Sequence, residues 1–167
     1  SNLEEENNKN QISDSAASSS ASLNELVLAI DTFQAKIAKY YHDIDNPFFS
    51  NHIKYSIASF KNGLHLREDH VFQNYLNQDT IFYNHPEYMK FFQEFYGPYV
   101  RKYYQQELVN LINQNKGINS IWELLKSSDF LASQPIKELA LIHQLNGLYH
   151  DQKVTKTNVL QLLDGIR

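Results

Sequence analysis

The stretch 81-IFYNHPEYMKFFQEFYGPYVRKYY-104 decides what kind of core this chain builds. Ten of its residues are Phe or Tyr, and most recur at three- and four-residue steps, the period of one helix face. A buried Phe ring stabilises a fold by about 1.5–3 kcal/mol. A Tyr buries similar ring area while its hydroxyl reaches solvent or a partner. The stretch therefore predicts a long helix whose inner face is an aromatic core, and it contains no catalytic motif.

Two features of this stretch bear on whether the helix is continuous and whether all its rings can be buried. Gly97-Pro98 interrupts the pattern, and because proline lacks an amide and clashes with the preceding turn, we expect a kink or a break there. Consecutive tyrosines near its end cannot both face the core. We therefore predict that the aromatic excess forms a surface for a partner. The residues assigned to that surface are Tyr96, Tyr99, Tyr103 and Tyr104.

The helical period continues on both sides of this stretch. Cap signals such as Asn46-Pro47 and Asn84-His85-Pro86 precede apolar runs, and no segment shows the alternation of a β-strand. The sequence therefore predicts an all-α fold, with about seven helices in one irregular bundle and no β-sheet. The predicted helices cover about residues 23–41, 47–63, 67–76, 86–116, 121–126, 135–149 and 157–166.

The first 22 residues differ in composition from the rest. They are polar, acidic and then Ser/Ala-rich, without apolar spacing that could pack. Such a segment is typical of a flexible leader or interdomain linker. Ser22 and Glu25 have the spacing of a capping box, which predicts that the first helix begins at about Leu23. The predicted organisation is a leader over residues 1–22 and a helical domain over residues 23–167.

Charge and composition exclude several classes of function. The net charge is −4 and the pI is near 5.9, which argues against nucleic acid as a partner. Arg101-Lys102 is the densest basic pair, so the neighbouring rings lack the electrostatic attraction needed to stack single-stranded bases. No apolar stretch approaches the ~20 residues of a membrane span. The absence of cysteine excludes disulfides, thiol nucleophiles and Cys-ligated zinc in this chain.

Candidate catalytic and metal-binding groups are sparse. Histidine accompanies carboxylates at residues 42–45 and 68–70, but neighbouring helical side chains diverge by about 100° and do not converge on an ion. Glu87, Glu94 and Glu107 accompany the aromatic stretch, where the wet face of a helix explains them better than a sugar-cleaving pair. The sequence predicts no catalytic residue, no cofactor, no metal site and no enzymatic activity for this chain.

Four segments, in order, resemble a known family. They are NPFFSNHIKYSIASF from residue 46, YLNQDTIFYNHPEYMKFFQEFYGPYV from residue 75, LLKSSDFLASQPIKELALIHQLNGLYHD from residue 124 and VLQLLDGI from residue 159. The pattern Tyr-x-x-Phe-Phe-x-x-Phe-Tyr at 88–96 is the most distinctive part. The chain resembles the helical segment of cell-envelope proteins that carry a C-terminal thioredoxin-like (TlpA/ResA-type redoxin) domain, and the resemblance covers about residues 23–167.

This resemblance implies a fragment of a longer envelope or periplasmic protein. The redox cysteines of that family have no match here, so no functional residue carries over. The implied function is a non-catalytic helical domain that spaces, orients or docks a thioredoxin-like domain of the same parent chain, or that binds another protein. The alternative is a stand-alone helical module that takes a partner helix or peptide into an apolar groove.

Overall fold

The fold is known from a computed structural model, which describes the backbone of residues 2–64, 66–78, 80–131 and 133–166, and side chains from residue 21 onward. Within these ranges the chain forms seven α-helices and one 3₁₀ turn, with no strand. The predicted all-α fold is confirmed. The helices are α1 Asn2–Tyr40, α2 Pro47–Gly63, α3 Glu68–Tyr75, α4 Pro86–Asn113, α5 Ile118–Leu125, α6 Gln134–Tyr149 and α7 Lys156–Gly165; the 3₁₀ turn is Asp129–Leu131.

Two helices begin where their cap signals predict. The Asn46 side chain accepts a hydrogen bond from the Phe49 amide at 3.1 Å, and α2 begins at the next residue, a proline. His85 Nδ1 accepts from the Tyr88 amide at 3.4 Å, and α4 again begins with proline. Each cap satisfies one of the amides that the first helical turn leaves without an internal partner. The cap residue and the proline after it therefore determine where α2 and α4 begin.

The start of α1 differs from the prediction. The helix begins at Asn2 rather than at about Leu23, so Ser22 lies inside it and is not its cap. Residues 2–22 contain neither glycine nor proline, and a helix formed at their C-terminal end meets no residue that stops it from extending backward. The division of the chain into a leader and a domain is a separate statement, and it stays a prediction.

Helix α4 is the centre of the core. It packs against α2, α5, α6 and α7, whereas the main contacts of α1 are with α2 alone. Ring pairs pack within this core: the centroids of Tyr55 on α2 and Tyr88 on α4 meet edge to face at 4.8 Å, and within α4 those of Phe92 and Tyr96 lie 4.4 Å apart. The predicted aromatic core is confirmed. Its largest fully buried rings are Tyr55, Tyr88, Phe91, Phe92 and Tyr96.

Helix α4 runs through Gly97-Pro98 without a break. Pro98 has no N–H to donate to the Glu94 carbonyl, four residues earlier, and that oxygen would otherwise lose its helical partner. The Asn62 side chain of α2 supplies the missing donor at 3.2 Å. Gln144 of α6, which is buried, donates to the Gly97 carbonyl at 2.9 Å. Helix α2 therefore supplies the donor that Pro98 lacks, and α6 adds a bond to the α4 backbone beside it.

Gly97 also sets how closely α6 approaches α4. A Cβ atom at this position would lie 3.3 Å from His143 Nε2, closer than most real Cβ contacts. Glycine leaves room for the side chains of α6 to reach the α4 backbone. The same Gly-Pro pair that weakens the helix therefore permits the contact that stabilises it.

Candidate functional site

The four tyrosines predicted as a partner surface differ widely in exposure. Tyr96 is only 1% exposed, and its hydroxyl donates to the Phe130 carbonyl at 2.9 Å. It lies one turn beyond Phe92 on the inner side of α4 and packs against that ring. The assignment of Tyr96 to a surface is therefore wrong, because the core closes over it.

The other three tyrosines approach or reach the surface. Tyr99 is half-buried, with its hydroxyl 2.8 Å from Ser128 Oγ, and Tyr104 is half-buried with its ring 6.0 Å from that of Tyr99. Tyr103 is 51% exposed. We call Tyr99, Tyr103 and Tyr104 the tyrosine surface. No contact with another protein is part of this structure, so its role in partner binding stays a prediction.

Polar groups at the tyrosine surface bond to one another. Glu68 at the start of α3 accepts from the Tyr103 hydroxyl and from Lys102 Nζ, both at 3.1 Å. Lys102 Nζ also lies 4.6 Å from the centre of the Tyr103 ring, in cation–π geometry. The bonds to Tyr103 and Glu68 raise the pKa of Lys102 above its ordinary value. This network ties α3 to α4 across the molecular surface.

A cleft of about 640 Å³ adjoins this network, between α2, α3 and α4. The volume is within the range of small-molecule sites. Its polar side chains already have partners in the protein: Asn62 bonds the Glu94 carbonyl, and Glu68 bonds Lys102. These bonds join α2 to α4 and α3 to α4. The lining residues are Ser59, Asn62, Gly63, Leu66, Glu68, Glu94, Phe95, Pro98, Tyr99 and Lys102.

The histidine and carboxylate groups singled out in the sequence form local contacts. His42 Nε2 lies 3.0 Å from Asp43 on the surface. Asp69 accepts from Arg67 and from the His70 amide, whereas Glu68 points to α4. The bond to Arg67 lowers the pKa of Asp69 below its ordinary value. Glu68 and Asp69 therefore point to different partners, as the helical geometry requires, whereas His42 and Asp43 lie beyond the end of α1 and contact each other.

The structure adds one histidine–carboxylate contact that sequence spacing did not indicate. Glu87 Oε2 lies 3.0 Å from His52 Nδ1 on α2 and 3.8 Å from His85 Nδ1. His85 is buried, and its Nε2 lies 3.0 Å from the Phe48 carbonyl. Both ring nitrogens of His85 thus serve the junction of α2 and α4. Over the described residues, no group of three or more His, Asp or Glu side chains is arranged to hold a metal ion.

The most exposed apolar region lies on the hairpin of α1 and α2. The two helices run antiparallel, since Tyr41 and Phe49 meet beside the turn at 5.3 Å and Asp31 pairs with Lys61 at 2.7 Å further along. The side of α1 that faces α2 and the residues after it is only half-buried. This half-buried stripe consists of Leu23, Val27, Ile30 and Ile37.

A second apolar stripe on α1 is left open. Leu26, Phe33 and Tyr40 are 50%, 55% and 80% exposed, and they recur every seven residues. Seven residues at about 100° each fall only about 20° short of two turns, so these side chains stack along one side of the helix. Asp31, which pairs with Lys61, lies about 160° from Phe33 around the axis. The open stripe therefore faces away from that ion pair.

Helix α2 extends this open side. Phe60 is 66% exposed and lies about 100° around α2 from Lys61, toward the same side of the hairpin as the open stripe. We call Leu26, Phe33, Tyr40 and Phe60 the hairpin surface. The apolar spacing predicted a first helix over about residues 23–41, but this surface was not predicted. The signal in the sequence was that the apolar side of α1 is wider than one neighbouring helix can cover.

Comparisons with protein-family models, with curated proteins and with solved structures found no match to this chain. Across the residues that the structure describes, no helix combines the length and the apolar character needed to span a bilayer.

Proposed function

We propose that this chain is a non-catalytic helical module that binds a partner protein through the hairpin surface. The observation that carries the proposal is the alignment of large exposed apolar side chains, Leu26, Phe33 and Tyr40, along one side of α1. Single exposed apolar residues are normal on proteins, whereas an aligned set marks an interaction site. The proposal assigns no catalytic residue and no cofactor.

The geometry of this site favours a helical partner. Leu26 and Tyr40 lie about 21 Å apart along α1, with Phe33 midway between them. An amphipathic helix laid along α1 would bury all three side chains at once, and Phe60 would flank it from α2. Aromatic side chains such as Phe33 and Tyr40 are typical anchors at the centre of protein interfaces.

The tyrosine surface is the second candidate for partner binding. Tyr103 offers an exposed ring, but its hydroxyl and the neighbouring Lys102 already bond Glu68. A partner there would have to compete with these contacts or add to them. The side chains of the hairpin surface are apolar apart from one tyrosine hydroxyl, so covering them has a smaller desolvation cost.

The parent protein belongs to the proposal as well. On the sequence resemblance, we place the module in a longer envelope protein, where a thioredoxin-like domain is one candidate partner. A disulfide-exchange activity would then reside in that domain, since this chain has no cysteine. A partner outside the parent chain is the alternative within the same proposal.

A photo-cross-linking experiment tests the proposal in cells of the native host. A benzophenone amino acid replaces Phe33 in the intact protein, and the control carries it at Leu160, a residue of α7 that is exposed to a similar degree. We expect a discrete cross-linked species for position 33 and none for position 160, and Phe60→Glu should weaken the first. Equal or absent cross-linking at the two positions would contradict a binding role for the hairpin surface.

A further inference from the structure

We infer that the occupant of the hairpin surface is the α1 helix of a second copy of this chain, packed antiparallel; this inference rests on the proposed function. The first argument is the spacing of apolar residues. Residues 23, 26, 30, 33, 37 and 40 are all apolar or aromatic and follow alternating steps of three and four. That is the seam pattern of a helix that packs lengthwise on another helix. Helix α2 covers only part of the seam.

The open stripe is complementary to its own inverted copy. Leu26 and Tyr40 each lie seven residues from Phe33, so a twofold axis beside Phe33 brings the two Phe33 rings together. The same axis sets Leu26 opposite Tyr40 of the second copy, at both ends of the contact. A leucine thus packs against a tyrosine ring at each end of the contact. Each copy contributes the same patch, as a twofold interface requires.

Charge distinguishes the antiparallel from the parallel arrangement. Glu25 and Lys39 are exposed residues near opposite ends of the open stripe, on the same side of it. In the antiparallel pair, Glu25 comes within about two residues of the level of Lys39 of the second copy, and opposite charges face each other. In a parallel pair, the twofold axis would set the two copies of Glu25 on opposite sides of the contact, and likewise those of Lys39, so no such pair of opposite charges would form. The charge pattern therefore favours the antiparallel pair.

The first experiment measures the oligomeric state of the purified chain. Sedimentation velocity from micromolar to several hundred micromolar protein should show a monomer–dimer equilibrium for the wild type. Phe33→Glu should raise the dimer dissociation constant about tenfold or more, because it places a charge at the centre of an apolar contact. Leu160→Glu is the matched control: Leu160 of α7 is 48% exposed, close to the 55% of Phe33, and lies outside the hairpin of α1 and α2. Its dissociation constant should equal that of the wild type.

The second experiment tests the orientation by cross-linking. Since the chain has no cysteine, single cysteines react with a short bismaleimide without background. Phe33→Cys should cross-link to itself, Tyr40→Cys should not, and a mixture of Leu26→Cys with Tyr40→Cys should form the mixed product. Efficient self-cross-linking of Tyr40→Cys would overturn the antiparallel arrangement.

The outcomes separate this inference from the proposed function. A chain that is monomeric at all concentrations overturns the second copy as occupant. If the cross-linker at position 33 then captures a different protein in cells, the proposed function stands with another partner. If it captures nothing, both fail. Because Leu160→Glu and Phe33→Glu introduce the same charge at similarly exposed positions, equal loss of the dimer in both variants would also overturn the assigned face.

Discussion

Helices α4 and α1 are both long and both carry apolar stripes, yet they have opposite surroundings. Four helices pack around α4, and its rings from Tyr88 to Tyr96 are almost completely buried. Helix α1 has α2 as its main neighbour, and Phe33 and Tyr40 remain exposed. An apolar stripe on a helix is stabilised when other helices cover it. The fold covers the stripe of α4 and leaves part of the stripe of α1 exposed. A stripe of the second kind is where we expect binding.

The largest expected effect compares one ring from each helix. Phe91→Ala removes a fully buried ring from α4 and should lower the free energy of unfolding by about 3–5 kcal/mol. Phe33→Ala removes a ring that is mostly in water, and for the monomer we expect a change within about 0.5 kcal/mol. Urea denaturation at a protein concentration low enough to exclude dimers measures both. Similar losses for the two variants would mean that α1 is packed as well as α4.

The second prediction concerns the proline in α4. Asn62→Ala leaves the Glu94 carbonyl without its donor, and we expect a loss of about 1–2 kcal/mol. In a Pro98→Ala background, the new Ala amide donates to the same carbonyl, so Asn62→Ala should then be nearly neutral. A double-mutant cycle from denaturation data gives this coupling. Independent, additive effects would show that Asn62 does not compensate for Pro98.

The third prediction compares two tyrosine hydroxyls on α4. Tyr96→Phe removes a buried bond to the Phe130 carbonyl and should cost about 1 kcal/mol. Tyr103→Phe removes an exposed bond to Glu68, which water replaces, and should cost about 0.5 kcal/mol or less. Thermal denaturation of the two variants ranks them. The reverse order would contradict the assignment of Tyr96 to the core and Tyr103 to the surface.

The last prediction is a loss of stability that is confined to alkali. Burial raises the pKa of Tyr99 to about 12 from an unfolded value of 10.0, although its bond to Ser128 opposes the shift. Above pH 10 the unfolded chain releases this proton while the folded chain keeps it, so stability falls as pH rises from 10 to 12 and is unaffected below pH 10. Tyr99→Phe should make the fall less steep than in the wild type, whereas Tyr40→Phe, at an exposed position, should not change it.

Comparison of α2 and α1 shows what sequence reasoning can place. The start of α2 was predicted correctly because Asn46 and the proline after it act within one turn of the helix. The start of α1 was not, because Ser22 can cap a helix only where the preceding residues leave the helical conformation. A cap residue therefore predicts where a helix begins only if the residues before it do not form helix themselves.

The candidate site was harder to predict than the helices. Tyr96 and Tyr103 are the same residue type on the same helix, and only Phe92 and Phe130 around the first make it a core residue. In the same way, Phe33 and Ile37 are apolar residues one turn apart on α1, and α2 shields only Ile37. Residue type and spacing do not show which residues from distant parts of the chain will pack against a side chain.

The sequence by itself determined the helical class, the positions of most helices and the aromatic character of the core, because helical period and caps act over a few residues. The tertiary structure alone decided how α4 continues through Pro98, since the donor for the Glu94 carbonyl comes from Asn62 on another helix. It also decided which apolar stripe stays open. Burial depends on how many helices surround a face, and that number is a property of the assembled fold.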